Sequence, residues 1–441
     1  MGPLLRKGNG CAFQGARIAL LLVLLPGLLL GAAALPGVGQ FSPAWQGAMD
    51  HYLQTSPHDA ITRLQERIDR GEVTLPYDPR RGYLPGVLRL LHIPVSSQAL
   101  VFSRTSFRRN LISPKTPRAL YFNDTTYVGS EQQADALEFI SLDPQLGAVF
   151  YILPQKPEAR PHFIRQTRDC LSCHLNAFTG HVPGLIVRSV YADDEGYPIP
   201  DSPSYLTTDA SLFAERWGGW YVTGLTGRQH TMGNCFAGKE GDKVTLDTAA
   251  GANRTDLRGL MDTTPYLSPH SDIVALMVLA HQTRLQNLMI QAGYQIRQAM
   301  REAQASEKPA TAAGPQIAPA CEPLVRAMLF VEEVRLTDPV SGTSGFAEQF
   351  SALGPRDRQG RSLRQLDLKR RLLRYPCSFT IYSEMFNALP APAKDYVFRR
   401  LYEILSGRDR SPEFASLSQA DRRATLAILR ATKPGHFLNH G

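Results

Sequence analysis

Two thiols three residues apart, with an imidazole directly behind them, constrain this chain more than any other stretch: Arg168-Asp169-Cys170-Leu171-Ser172-Cys173-His174. Any fold the chain adopts must present Cys170, Cys173 and His174 together to one partner group. Three chemistries use such a pair of cysteines. A zinc site needs four ligands, and no second C-x-x-C or H-x-x-x-H supplies the other half. A thioredoxin-like redox pair sits at a strand-to-helix junction of a βαβ unit and makes no demand on the following residue. Covalent haem attachment demands this order: the two thiols reach the two vinyl groups as thioethers, and the adjacent histidine lies under the iron. The motif therefore assigns one haem, with Cys170 and Cys173 as attachment sites and His174 as the proximal iron ligand.

The N-terminus addresses the chain out of the cytoplasm. Arg6, Lys7 and Arg17 precede an apolar run from Ile18 to Leu35, broken by Pro26-Gly27 and closing on Ala32-Ala33-Ala34. This is the layout of a secretory signal over residues 1–34. Its length also approaches that of an uncleaved membrane anchor. Cys11 falls within this segment, and Cys235, Cys321 and Cys377 remain outside the motif. Three is an odd number for an oxidising compartment, so one pair is open to bridging, and a cysteine left unpaired reads as a buried small hydrophobe. The formal net charge of +8 is spread along the chain. No aromatic residues interleave with the Arg-rich stretch from Leu363 to Arg374, which reads as a solvated helix face rather than a nucleic-acid site.

Periodicity divides the remainder into an α+β chain with a β-rich N-terminal half and a helical C-terminal region. Within 35–160, residues 45–70 read as one amphipathic helix, with Ile61, Leu64 and Ile68 on its apolar face. Short β-rich runs follow at 99–102, 119–122, 137–140 and 148–153, with turns at Asn123-Asp124, Asp143-Pro144 and Leu146-Gly147. Residues 161–303 carry the haem motif, further strands at 185–191 and 220–223, and a long helix over 271–303 capped by Ser271. Residues 304–323, rich in Ala and Pro, read as a linker. In 324–441, shorter helices are expected near 324–335, 361–374, 379–388, 392–406 and 418–431.

At the motif the chain resembles the c-type cytochromes. That resemblance implies thioethers at Cys170 and Cys173, ligation by His174, haem attachment after secretion, and a periplasmic or otherwise exported bacterial location. A wider pattern looks like a group of bacterial proteins that carry a cytochrome c domain. It comprises Val182-Pro183-Gly184 to Val190, Glu215 to Gly224, and Ser268-Pro269-His270-Ser271-Asp272 to Gln282. It covers most of the mature chain and brings no reaction with it.

A second axial ligand distinguishes an electron carrier from a haem with one open face. Met232, in Thr231-Met232-Gly233-Asn234, is the first candidate, at a chain distance from His174 resembling that between the ligands of small cytochromes c. His230 and His281 are alternatives, followed by His270 and His181; an iron without a second protein ligand is the remaining case. Trp217, Trp220 and Tyr221 are candidates either for core packing or for lining the haem. Arg165, Arg168, Arg188 and Arg216 are candidates to pair with its carboxylates. Electron transfer with a redox partner protein is the expected function. The alternative is a peroxidase-like haem enzyme or haem-based sensor, for which no catalytic residue is assigned. No nucleic acid is expected as a partner, and a membrane only through the N-terminal segment if it stays uncleaved.

Overall fold

The computed structural model describes residues 43–306 and 314–437; the signal segment and Cys11 lie outside them. The chain divides after Gln46, and the account below concerns residues from Gly47 onward. The helix expected over 45–70 is two, α1 (Pro43–Gln54) and α2 (Ala60–Asp69). Pro57 brings no N–H to a continuing helix, and Asp59 restarts the chain as an N-cap, accepting from the amides of Ile61 and Thr62. A short α3 (Leu84–Leu90) follows.

The β-rich part builds β1 (Ala99–Val101), β2 (Arg118–Phe122), β3 (Thr126–Ser130), β4 (Ala136–Asp143), β5 (Gly147–Pro154) and β6 (Ile164–Gln166). With the distant β9 (Trp220–Tyr221), they form a seven-stranded antiparallel sheet in the order β6-β5-β4-β3-β2-β1-β9. Side chains make its hairpins. Asn123 Oδ1 accepts from the amides of Thr125 and Thr126 between β2 and β3, and Asp143 Oδ1 does the same for Gln145 and Leu146 between β4 and β5. The small pairs β7 (Arg188–Val190) with β8 (Ser204–Leu206), and β10 (Gly238–Glu240) with β11 (Lys243–Thr245), lie outside this sheet.

The pairing register sorts the two faces, because directly opposed residues point to the same side. Tyr121, Val128, Phe139, Tyr151 and Arg165 make a row on one face. The α2 region covers it: Tyr151 donates to Asp59, and the Phe163 amide to Gln65. On the other face, Leu120, Gly129, Glu138, Ile152 and Ile164 form one row and Phe122, Tyr127, Ile140, Phe150 and Gln166 the next. The second of these rows meets the long helix, where Tyr127 bonds to Gln282 and Gln286. The first row is less covered: Leu120 and Ile152, with Ile140 beside them, are half-buried, and Ile164 is 43 % exposed.

Beyond the sheet come α4 (Arg168–His174), a short α5 (Thr248–Gly251) and the long α6 (Ile273–Ala305). Asp272, not Ser271, caps α6, accepting from Val274 and Ala275. Ser271 ties strands instead, donating to Tyr221 O and accepting from the Leu100 amide. Residues 273–283 are buried on every side, since α6 runs between the sheet and the C-terminal helices. These are α7 (Gly314–Met328), α8 (Phe346–Ala352), α9 (Glu384–Asn387), α10 (Ala391–Leu405), α11 (Gln419–Thr432) and α12 (Pro434–Phe437).

Two expectations fail here. The linker over 304–323 is helical from Gly314, with Ala320 and Cys321 buried against α6. Pro315 falls in the first turn, where an N–H has no helical acceptor, and Pro319 and Pro323 leave without a donor only the carbonyls of Pro315 and Pro319, which are exposed residues on one stripe. The Arg-rich 361–374 is not a helix but a turn-rich loop with a Leu366–Leu373 bridge. No helix among the described residues is long and apolar enough to cross a membrane.

Candidate functional site

Strand β6 delivers the chain directly into α4, whose seven residues carry the whole motif. Cys170 is half-buried and Cys173 exposed, both as free thiols. After α4 the chain must turn back. Asn176 caps the single 3-10 turn Ala177–Thr179 and donates to Cys173 O, and Gly180 closes it with φ +64°. The return brings the Gly184 carbonyl to 2.9 Å from His174 Nδ1. The imidazole therefore donates from Nδ1 and carries its lone pair on Nε2, which has no protein hydrogen bond among the described residues. A backbone carbonyl on one nitrogen with a free Nε2 is the state of a histidine prepared to ligate a metal. Its ring packs on Phe150 of β5, with centroids 5.0 Å apart.

Helix α6 holds the returning loop. Asn287 accepts from the Leu185 amide and donates to the Leu185 carbonyl, each at 2.8 Å. A Cβ on Gly184 would lie 2.6 Å from Asn287 Oδ1, so only glycine lets the loop approach so closely. Asn287 thus fixes the carbonyl that fixes His174.

Charge near the motif comes from the sheet. Arg118 lies across Gly129, where a Cβ would come within 2.3 Å of its guanidinium, and pairs with Glu131 and Glu138. Arg108 adds ion pairs to Glu138 and Asp135. Burial, then the charges of Glu138 and Asp169, push the Cys170 thiol up to about 11. A redox-active dithiol has its attacking cysteine lowered, so this environment does not suit Cys170 for that role. Burial lowers the His174 pKa, keeping the ring neutral, as a metal ligand must be. Two free thiols and a neutral imidazole with an available Nε2 suit a covalently held haem, with Ile140, Ile152 and Ile164 as apolar neighbours near Phe150 and the Arg118–Glu138 pair interrupting that face before Leu120.

The expected second ligands are elsewhere. Met232 is buried, its sulfur 3.6 Å from Ser189 Oγ and its methyl group against Gly218, just before β9. β5, which meets His174, lies five strand spacings from β9, about 24 Å along the sheet at ~4.8 Å each. Axial ligands of one iron sit within a few ångströms of each other, so Met232 is a core methionine here. His281 has both nitrogens engaged, Nδ1 with Asp209 and Nε2 with Ser378 at 2.8 Å each, and stacks on Phe330. It has no lone pair left for iron. His230 lies on a loop whose neighbours Arg228 and Gln229 bond Asp338 and Thr337. His270 precedes α6, and His181 is exposed on the motif's own return loop.

Of the aromatic group, Trp217 and Tyr221 are core residues: Trp217 stands edge-on to Phe213, and Tyr221 donates to Pro114 O. Trp220 is buried and donates to Arg188 O. Arg165 is spent on the carbonyls of Tyr52 and Thr55, and Arg216 on those of Asp209 and Ser211. Arg188 bonds Ser204, and Arg168 is exposed. Cys235, Cys321 and Cys377 are buried free thiols. The site residues that sequence reasoning missed are Phe150, Gly184, Asn287, Arg118, Glu131 and Glu138. Gly184 stood in the quoted Val182-Pro183-Gly184 stretch and Phe150 in the β-run 148–153, but nothing in the sequence tied either to His174. In comparisons with known proteins, the chain matches no family model, no curated protein and no solved structure.

Proposed function

We propose that the chain is an exported c-type cytochrome that binds one haem covalently and exchanges electrons with a partner protein. The observation that carries this reading is the 2.9 Å bond from His174 Nδ1 to Gly184 O, which aims a neutral Nε2 away from the loop beside two free thiols. When bound, haem would supply an iron centre able to gain and lose one electron. The chain's own residues would do the rest. Cys170 and Cys173 anchor the macrocycle, and His174 holds the iron with a ring oriented by Gly184 and Phe150. Ile140, Ile152 and Ile164 would give apolar contact on one side, while the exposed Cys173 end of α4 would leave an edge within reach of a docking partner.

A second reading rests on a specific observation: Met232 and His281 are committed to other partners. A haem bound by His174 alone would keep one axial position open, as a peroxidase-like enzyme or a gas sensor requires. Correctly exported protein should retain its haem through acid-acetone extraction, and Cys170→Ala with Cys173→Ala should release it. Haem that extracts freely from the native sequence would overturn the proposal. Rapid carbon monoxide binding to the reduced protein would move the assignment from carrier to the open-site reading.

A further inference from the structure

Far along the chain from the motif, a loop at residues 356–361 and one face of α11 enclose a surface cleft of about 680 Å³. Five arginines line it, Arg356, Arg358 and Arg361 from the loop and Arg423 and Arg430 from the helix, against one carboxylate, Asp357. That carboxylate is committed: it pairs with Arg361 and accepts from the amides of Gln359 and Arg361. Arg356 spends its guanidinium on the neutral carbonyls of Ser351 and Gly360. Arg358, Arg423 and Arg430 have no acidic partner within ion-pair distance among the described residues. Four guanidinium charges thus converge on one cleft without compensation.

Some neighbouring arginines are neutralised by carboxylates, whereas Arg422, like Arg356, bonds only carbonyls. Arg371 pairs with Asp421, Arg399 with Glu403, and Arg400 with Glu322 and Asp409. Like charges gathered in one place repel one another, and an anion bound between them relieves that repulsion. Spacing defines the anion further. Arg423 and Arg430 are seven residues apart, two turns on one helix face and about 10 Å along it, with Leu426 and Ala427 as an apolar floor between them. A single phosphate is short for that span, whereas an anion with several phosphate groups reaches both ends. Guanidinium forks match phosphate oxygens two at a time.

We propose that this cleft binds a ligand bearing several phosphate groups, supplied either as a free polyphosphate or as anionic phospholipid headgroups. The proposal is independent of the haem reading. The test is calorimetric titration of the full exported protein with inorganic tripolyphosphate. In parallel, co-sedimentation is run with phosphatidylglycerol vesicles against phosphatidylcholine vesicles. Saturable binding that weakens with added salt, and that falls about tenfold or more in Arg423→Ser with Arg430→Ser, is the expected result. All of these arginines but Arg361 are exposed, so the variants should fold, and Arg358→Ser on the opposite wall should weaken binding in the same direction. Tripolyphosphate binding without vesicle binding identifies a free anion, and the reverse identifies the headgroup. If neither probe binds saturably, or if the substitutions leave binding unchanged, the cleft is not a phosphate site.

Discussion

His174 owes its orientation to residues that the motif does not contain. The Gly184 carbonyl fixes its tautomer, and Asn287, more than a hundred residues further along the chain, fixes Gly184 through the backbone of Leu185. Asn287→Ala would leave the Leu185 amide and carbonyl without their buried partner, which costs about 1–3 kcal/mol for each unsatisfied group. The expected outcome is a lower urea midpoint together with a disturbed histidine ligand signal in the haem-loaded protein. Asn287→Asp keeps the acceptor for the amide but sets a buried carboxylate oxygen against the Leu185 carbonyl, so at neutral pH it should cost at least as much as Asn287→Ala and should recover in part at low pH. Unchanged spectra alongside reduced stability would reduce Asn287 to a packing residue. At this scale the sequence displayed the chemistry and hid its support. Cys170, Cys173 and His174 are adjacent and announce themselves, whereas Gly184, Asn287, Phe150 and Arg118 come together only through the fold. Met232 drew attention through chain distance alone, and chain distance does not measure the width of a seven-stranded sheet.

Helix α7 shows what composition conceals at the scale of elements. Its prolines occupy one exposed stripe, and Ala320, Cys321, Leu324, Val325, Ala327 and Met328 form the buried one. Tertiary packing against α6 therefore outweighs poor intrinsic propensity, since the missing donors would have served carbonyls of residues on the exposed stripe. Leu324→Ala should cost about 2–5 kcal/mol, as for a fully buried leucine. Pro323→Ala should leave stability within about 1 kcal/mol of the native value or raise it. Chemical denaturation of the two variants checks the pair, and a large loss from Pro323→Ala would mean that the proline ring itself is a packing element. The strands at 99, 119, 137 and 148 were legible because apolar residues run between recognisable turns. β3 was not, because Gly129 and its flanking polar residues lack the pattern. Residues 361–374 carry helix-forming residues, yet their backbone bonds run across the loop, Arg374 to Gln365 and Asp367 to Leu372, which periodicity cannot foretell.

For the molecule from Gly47 onward, buried charge links the loop that carries Asp209 to α6 and the C-terminal helices and makes stability depend on pH in two opposite senses. Asp209 joins His281 and Arg284 of α6. Burial alone would raise its carboxyl, but the hydrogen bonds and charges of His281 and Arg284 outweigh that and hold it down at about 2, from the usual 3.8. Its contribution is present above pH 3.8 and is lost as pH falls through about 2. Glu333, which accepts from the Leu372 amide at 2.7 Å, behaves conversely. Burial, with the Asp209 charge adding to it, pushes its carboxyl up to about 8 from the usual 4.5. The folded chain then holds a proton that the unfolded chain has shed. This contribution is complete below pH 4.5 and drains away as pH rises through about 8. Urea unfolding should therefore show stability declining from pH 5 towards pH 9, by on the order of a few kcal/mol. Glu333→Gln keeps an acceptor for Leu372 and cannot ionise, so it should flatten that decline while leaving the loss near pH 2 intact. A variant whose alkaline decline matches the native profile would mean that Glu333 does not carry the buried proton.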